Sequence, residues 1–218
     1  MSGELLSDDW LSFYNGSFQK DAHQLVAWGY EDTRDKVRSG HLEEEITGFL
    51  VDAIKARLNN ALTLPRFRRY AVHEDEYARL TPRAGRKRRR IDIVVESSLR
   101  LPRPEFMFEA KILRRPGFTI GRYTGTDGMQ CYIKSEYAAA YHVAAMVGYV
   151  QTDGPDYWYG QLHHKLAADK KKDLRVTLPL QRAKVIDSLP HEWVSRHGRE
   201  GNDDIDIFHV FLDFTSDN

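Results

Sequence analysis

Two periods of apolar and polar residues run through the chain. In HLEEEITGFLVDAIKARL, Leu42, Ile46, Phe49, Leu50, Ala53 and Ile54 recur at steps of mostly three and four. That spacing keeps one side of a helix apolar and predicts an amphipathic helix there. IDIVVES is β-branched and reads as a strand with Asp92 near its start. The turn-rich SLRLPRP separates it from a second strand, EFMFEAKIL, apolar almost throughout except at Glu109 and Lys111. Residues 5–38 carry a loose helical pattern of one or two helices, and NNALTLPRFRRYAVHEDEYARL reads as a turn followed by strand-like pieces. DGMQCYIKSEYAAAYHVAAMVGYV opens as a helix, capped by Thr126 or Asp127, and passes into a strand at AMVGYV. A mixed charged helix follows, and DLRVTLPL and IDIFHVFLDF are the last strand candidates. Helix, strands, helix, strand is the order of an α/β layered domain around a central mixed sheet.

Composition narrows the class. At 218 residues without a Gly/Ser- or Pro-rich linker, the chain fits one domain. Hydrophobic residues at 41% and charged residues at 29% allow a packed core under a soluble surface. Every apolar run is too short and interrupted to span a membrane, and the N-terminus lacks a signal pattern. The single cysteine, Cys131, excludes an internal disulfide and a cysteine-based zinc cage, so a cytoplasmic protein is expected. Thirty-two basic residues balance 32 acidic ones, so net charge says nothing about a polyanionic partner. Distribution says more. RAGRKRRR, residues 83–90, holds six basic residues and no acid, and it leads directly into the IDIVVES strand. KLAADKKKDLR is a more mixed run, and either run also reads as a solvated loop.

The chemistry gathers where the two strands meet. Side chains alternate along a strand, so Glu109 and Lys111 share a face and Ala110 takes the other. Asp92 precedes Glu109 by 17 positions, room for a hairpin that sets the two carboxylates side by side. Close carboxylates repel unless one is protonated or a cation joins them. A hard dication such as Mg2+ suits carboxylate oxygens, a backbone carbonyl and waters. A lysine beside it can orient or deprotonate a water and stabilise charge on a phosphate. The same three residues would also serve as a plain salt bridge at a sheet edge.

Asp92 followed by Glu109-Ala110-Lys111, with an acidic helix before and a helix after, resembles the PD-(D/E)XK nuclease superfamily over roughly residues 40–150. Ile91 stands where the motif has proline. The resemblance implies a restriction-endonuclease-like three-layer core, which a helical extension over 1–39 and a helix/strand extension over 151–218 are expected to flank. It implies a Mg2+-dependent endonuclease, with Mn2+ as a substitute, Asp92, Glu109 and the Ala110 carbonyl as metal ligands, and Lys111 as the catalytic lysine. The family often adds a glutamate from the first helix. At 100° per residue Glu44 faces away from the apolar stripe, leaving Glu43 as first choice and Glu45 as second; dipole compensation at the helix start explains the others. Gln130 in the following helix is a further catalytic candidate, and Lys134 and Glu136 read as an exposed polar face.

Arg86, Lys87, Arg88, Arg89 and Arg90 are expected to grip a nucleic-acid backbone. SRHGRE reads as a polar turn before the last strand, in which Arg196 and Arg199 could contact phosphate beside Ser195 and His197. His209, alone on an apolar strand, reads as a satisfied core histidine. Double-stranded DNA is the expected partner, in restriction or anti-phage defence, with a homodimer or a partner subunit to cut both strands. The alternative is an inactive nucleic-acid-binding or assembly subunit of the same fold. Gly-rich phosphate loops, His-Glu-x-x-His and a Ser or Cys nucleophile motif are absent from the sequence, which argues against other enzyme classes.

Overall fold

The computed structural model describes residues 14–77, 89–169, 172–199 and 201–215. Seven strands form one mixed sheet in the order β1-β2-β3-β4-β7-β6-β5. They are β1 Tyr70–Tyr77, β2 Arg90–Ser97, β3 Glu105–Leu113, β4 Val143–Val150, β5 Val176–Arg182, β6 Glu192–Arg199 and β7 Asn202–Asp213. The β3–β4 and β4–β7 pairs are parallel and the other pairs antiparallel. The helices are α1 Gln19–Thr33, α2 Glu43–Leu58, α3 Ile120–Tyr123, α4 Gln130–Ile133 and α5 Gly154–Ala167.

The central strands explain the layering. Every residue of β3 and β4 is buried, as expected of strands covered on both faces, which read as continuous apolar runs. Phe106, Phe108, Ala110 and Ile112 of β3 pack in one core with Leu25 of α1 and Ile46, Leu50 and Ile54 of α2. Met107 and Leu113 face a second core with Tyr123, Tyr132, Trp158 and Leu162 of α3–α5. The chain is thus α/β with helices on both faces of the sheet. No described helix is long and apolar enough to cross a membrane.

The amphipathic helix expected around residues 42–58 is α2. Three glutamates fill its first turn and Lys55 and Arg57 its last, matching the helix dipole at both ends. Phe49, expected on the apolar stripe, is instead 37% exposed. α1 and α2 touch where Gly29 meets Leu50, so closely that a Cβ on Gly29 would lie 2.8 Å from the Leu50 carbonyl oxygen.

Two expected elements differ. The helix after Asp127 is a single turn, α4, not a long helix with YAAAY on its inner face. Ser135 and Ala138 adopt positive φ (56° and 49°) and end it, which non-glycine residues do not do inside a helix. SRHGR is not a turn but part of β6, with Ser195, His197 and Arg199 buried and Arg196 exposed.

Candidate active site at the split between the second and third strands

The β2–β3 ladder runs from Glu96 opposite Glu105 to Ile93 opposite Phe108 and pairs no residue beyond that point. One step further, the same register sets Asp92 opposite Glu109. β2 stays paired with β1 as far as Arg90, while β3 continues along β4. The amides on the open side of β3 therefore need other acceptors. Asp92 Oδ2 accepts from the Ala110 N–H at 2.7 Å. Glu43 Oε2, from the first turn of α2, accepts from the Ile112 N–H at 3.1 Å. A side chain two positions after Glu109 projects into the same gap, and that is Lys111.

Lys111 Nζ donates to Glu109 Oε1 at 2.8 Å, to Glu43 Oε1 at 2.9 Å and to the Ala110 carbonyl at 2.5 Å. Asp92 Oδ2 lies 3.7 Å from it. Three carboxylates thus share one ammonium. Among the described residues no three Asp, Glu, His or Cys side chains form a metal-holding group on their own; here Lys111 Nζ stands between them. Burial raises the Glu109 carboxyl to about 8, reinforced by Asp92 and opposed by Lys111. Burial likewise raises Asp92, against Lys111 and the Ala110 amide. Lys111 is held above its ordinary value because Glu109, Asp92 and Glu43 together outweigh its burial. These directions agree: the lysine stays charged, and the most buried acid, Glu109, is the one that most readily keeps a proton.

Glu109 Oε2 is buried and no donor among the described residues reaches it. A buried acceptor without a partner costs about 1–3 kcal/mol. That orphan oxygen, the net negative donor set and the Ala110 carbonyl turned into the cluster fit a hard dication.

Of the other predicted site residues, Glu45 does not join. Its Oε2 caps the Leu42 N–H at 2.7 Å at the start of α2, and Glu45 is exposed. Gln130 is only partly buried, and its side chain has no hydrogen bond to the cluster. Its neighbour Cys131 is fully buried, donates to the Thr126 carbonyl at 3.2 Å and is pushed up to about 12, chiefly by burial and then by Glu109. Lys134 caps the end of α4 and Glu136 pairs with Arg89.

The basic residues fall into two groups. Arg86, Lys87 and Arg88 lie outside the described residues. Arg89 is bound by Asp127 at 2.6 Å and by Glu136, and Arg90 pairs with Asp75. Arg196 forms a two-pronged pair with Asp206, at 2.6 and 3.0 Å. Arg199 is 8% exposed and donates to the carbonyls of Asp203 and Ala138. Arg196, expected to contact phosphate, is exposed but held by Asp206, and the Arg199 guanidinium is turned inward onto backbone carbonyls. Through the register, Arg196 aligns with Asp206 and Val143, whereas Lys111 aligns with Gly148. Three strand spacings and five residues along the strand put Arg196 roughly 20 Å from Lys111.

Ser195 and His197 had a role the sequence hid. Ser195 Oγ lies 2.7 Å from His197 Nε2 and 2.8 Å from His209 Nε2, and the Tyr123 hydroxyl lies 3.0 Å from His209 Nδ1. His197 Nδ1 bonds the Leu174 carbonyl. This is a satisfied buried network, as expected for His209.

Comparison with known proteins gave no match: no family model fits the chain, and no curated protein or solved structure is significantly similar to it.

Proposed function

We propose that the chain is a Mg2+-dependent nuclease that hydrolyses phosphodiester bonds in double-stranded DNA, with a restriction-endonuclease-like core. One observation carries this reading: Asp92, Glu109 and Glu43 converge on Lys111, leaving a buried Glu109 oxygen without a partner. The element order also supports it, since α2 precedes three antiparallel strands and β4 joins β3 in parallel.

Asp92, Glu109 and the Ala110 carbonyl would hold Mg2+ or Mn2+, with Glu43 at the rim. Bound there, the ion supplies a Lewis acid for a phosphate oxygen and lowers the pKa of a coordinated water. Of the three Lys111 N–H groups, the one on Glu43 fixes the lysine. Those on Glu109 and the Ala110 carbonyl, acceptors that the ion would take over, would be freed to orient the attacking water and to donate to phosphate oxygens as negative charge grows on them. Glu43 holds the Ile112 amide and Lys111 at once and so fixes the lysine against β3. Action in restriction or anti-phage defence, as a homodimer or with a partner subunit, remains part of this proposal.

A second reading, an inactive nucleic-acid-binding or assembly subunit, draws on Lys111 alone already tying the three carboxylates together. Plasmid nicking separates the two. Cleavage is expected with Mg2+ and lost with EDTA or in Lys111→Ala. Cleavage that persists in Lys111→Ala would remove the mechanism, and none in the wild type under any divalent ion would favour the second reading.

A further inference from the structure

An acidic cluster repels a polyanion, so a nuclease built on Asp92, Glu109 and Glu43 needs cations at its rim. The arginines that the sequence offers for this are largely neutralised by acids, as Arg89, Arg90 and Arg196 show. Arg115 is likewise taken by Asp153. The segment that leaves β3 just after Lys111 is different. Arg114 and Phe118 bond each other's backbones, N to O at 3.0 and 2.9 Å, and Gly117 supplies the positive φ (102°) that closes this tight loop. α3 follows at once and is anchored by Tyr123 in the core.

Two guanidiniums share the Phe118 ring, Arg114 at 4.7 Å and Arg122 at 4.9 Å from its centroid. Among the described residues neither pairs with a carboxylate. The Arg114 guanidinium donates only to the Ser39 carbonyl, and the guanidinium of the exposed Arg122 has no hydrogen bond among the described residues. Like charges held on one ring repel, and an anion between or beside them relieves that repulsion. The clamp also borders the cluster: Arg114 leaves the end of β3 three residues after Lys111, roughly 10 Å along the same strand.

Resting on the nuclease reading, we propose that Arg114 and Arg122, stacked on Phe118, clamp the backbone phosphates of the DNA duplex beside the bond cut at Lys111. Arginine suits this task because its planar fork stays charged and meets phosphate oxygens in pairs.

The test is fluorescence anisotropy of a labelled DNA duplex, in EDTA, over a series of salt concentrations, with nicking assayed in parallel. Arg114→Gln and Arg122→Gln should each reduce the slope of log K against log salt by about 1, and together by about 2. Arg114→Lys with Arg122→Lys should keep most of the slope while losing affinity. Thermal melts of Arg122→Gln should match the wild type, since Arg122 is exposed, and those of the Arg114 variants, which lose or alter the bond to the Ser39 carbonyl, give the folded fraction at which their affinities are read. If the wild type binds and cuts DNA but the double glutamine variant shows the same affinity and slope, the clamp is wrong and the nuclease reading stands. If the wild type neither binds nor cuts, both fall.

Discussion

Lys111 has one charge to divide among three carboxylates, and that imbalance makes each residue of the cluster testable alone. Lys111→Met leaves Asp92, Glu109 and Glu43 facing one another without a cation. Removing one partner of a buried ionic group costs about 3–5 kcal/mol, so urea denaturation in EDTA should show a loss of that size at pH 8. Acidification to pH 5 should return part of it, because the stranded carboxylates can then take protons. Glu109→Gln is the opposite case. Glu109 is already raised to about 8 by burial and Asp92, so a neutral isostere should melt near the wild-type temperature without metal, while cutting is lost. Much of this site was legible: period-two alternation put Glu109 beside Lys111, a short hairpin could oppose Asp92, and helical arithmetic preferred Glu43. Glu45 was not separable from Glu43 by angle alone, because its use is a local cap on the Leu42 amide. The pairing of Arg89, Arg90 and Arg196 was also illegible, since each acid partner is set by tertiary contact and not by local sequence.

At the level of elements, Glu43 reaches Lys111 only because α2 lies where α1 holds it. The contact at Gly29 sets that distance: an added Cβ would also lie 2.9 Å from Ile54 Cγ1. Gly29→Ala must push the helices apart or strain both, which costs about 1–3 kcal/mol. Thermal denaturation should show this loss, and nicking should fall further than stability explains, because α2 carries Glu43. A variant as stable and active as the wild type would mean that α2 shifts without consequence. Strands β1–β4 and helix α2 could be read from periodicity because their inward positions are apolar. β6 could not. Its inward positions include Ser195, His197 and Arg199, and a hydrophobic pattern cannot see polar side chains that satisfy one another. The shortened helix at Gln130 was missed for a related reason: AAA is helix-favouring by propensity, but the buried Tyr137 and Ala138 draw that segment across the sheet as a loop.

For the molecule as a whole, layering was legible and strand order was not, because β7 enters between β4 and β6 from far along the sequence. Equally hidden was the fully buried contact of His23 Nε2 with Glu192 Oε1, 3.1 Å apart, which ties α1 to β6. Buried histidines and buried acids of opposite behaviour set the stability of the metal-free protein against pH. His209 is wholly buried and held well below its ordinary value by burial and by His197, and His197 is lowered by burial. Unfolded histidines take protons near pH 6.5, so these two contribute stability above that pH and lose it as pH falls, by about 1.4 kcal/mol per unit for each proton. Glu109 runs the other way. Its folded value of about 8 exceeds the unfolded 4.5, so its contribution is full below 4.5 and disappears as pH rises through 8. The two limbs oppose each other, and Asp92, also raised, acts in the same direction as Glu109. Stability should therefore fall toward acid because of the histidines, fall as pH rises through about 8 because of Glu109, and peak between. Urea midpoints measured in EDTA across pH 4.5–8.5 check this. Glu109→Gln should flatten the alkaline side, and His209→Gln, which keeps hydrogen-bonding capacity without titrating, should flatten the acid side. An acid side unchanged in His209→Gln would mean that the buried histidine network does not control how this fold fails at low pH.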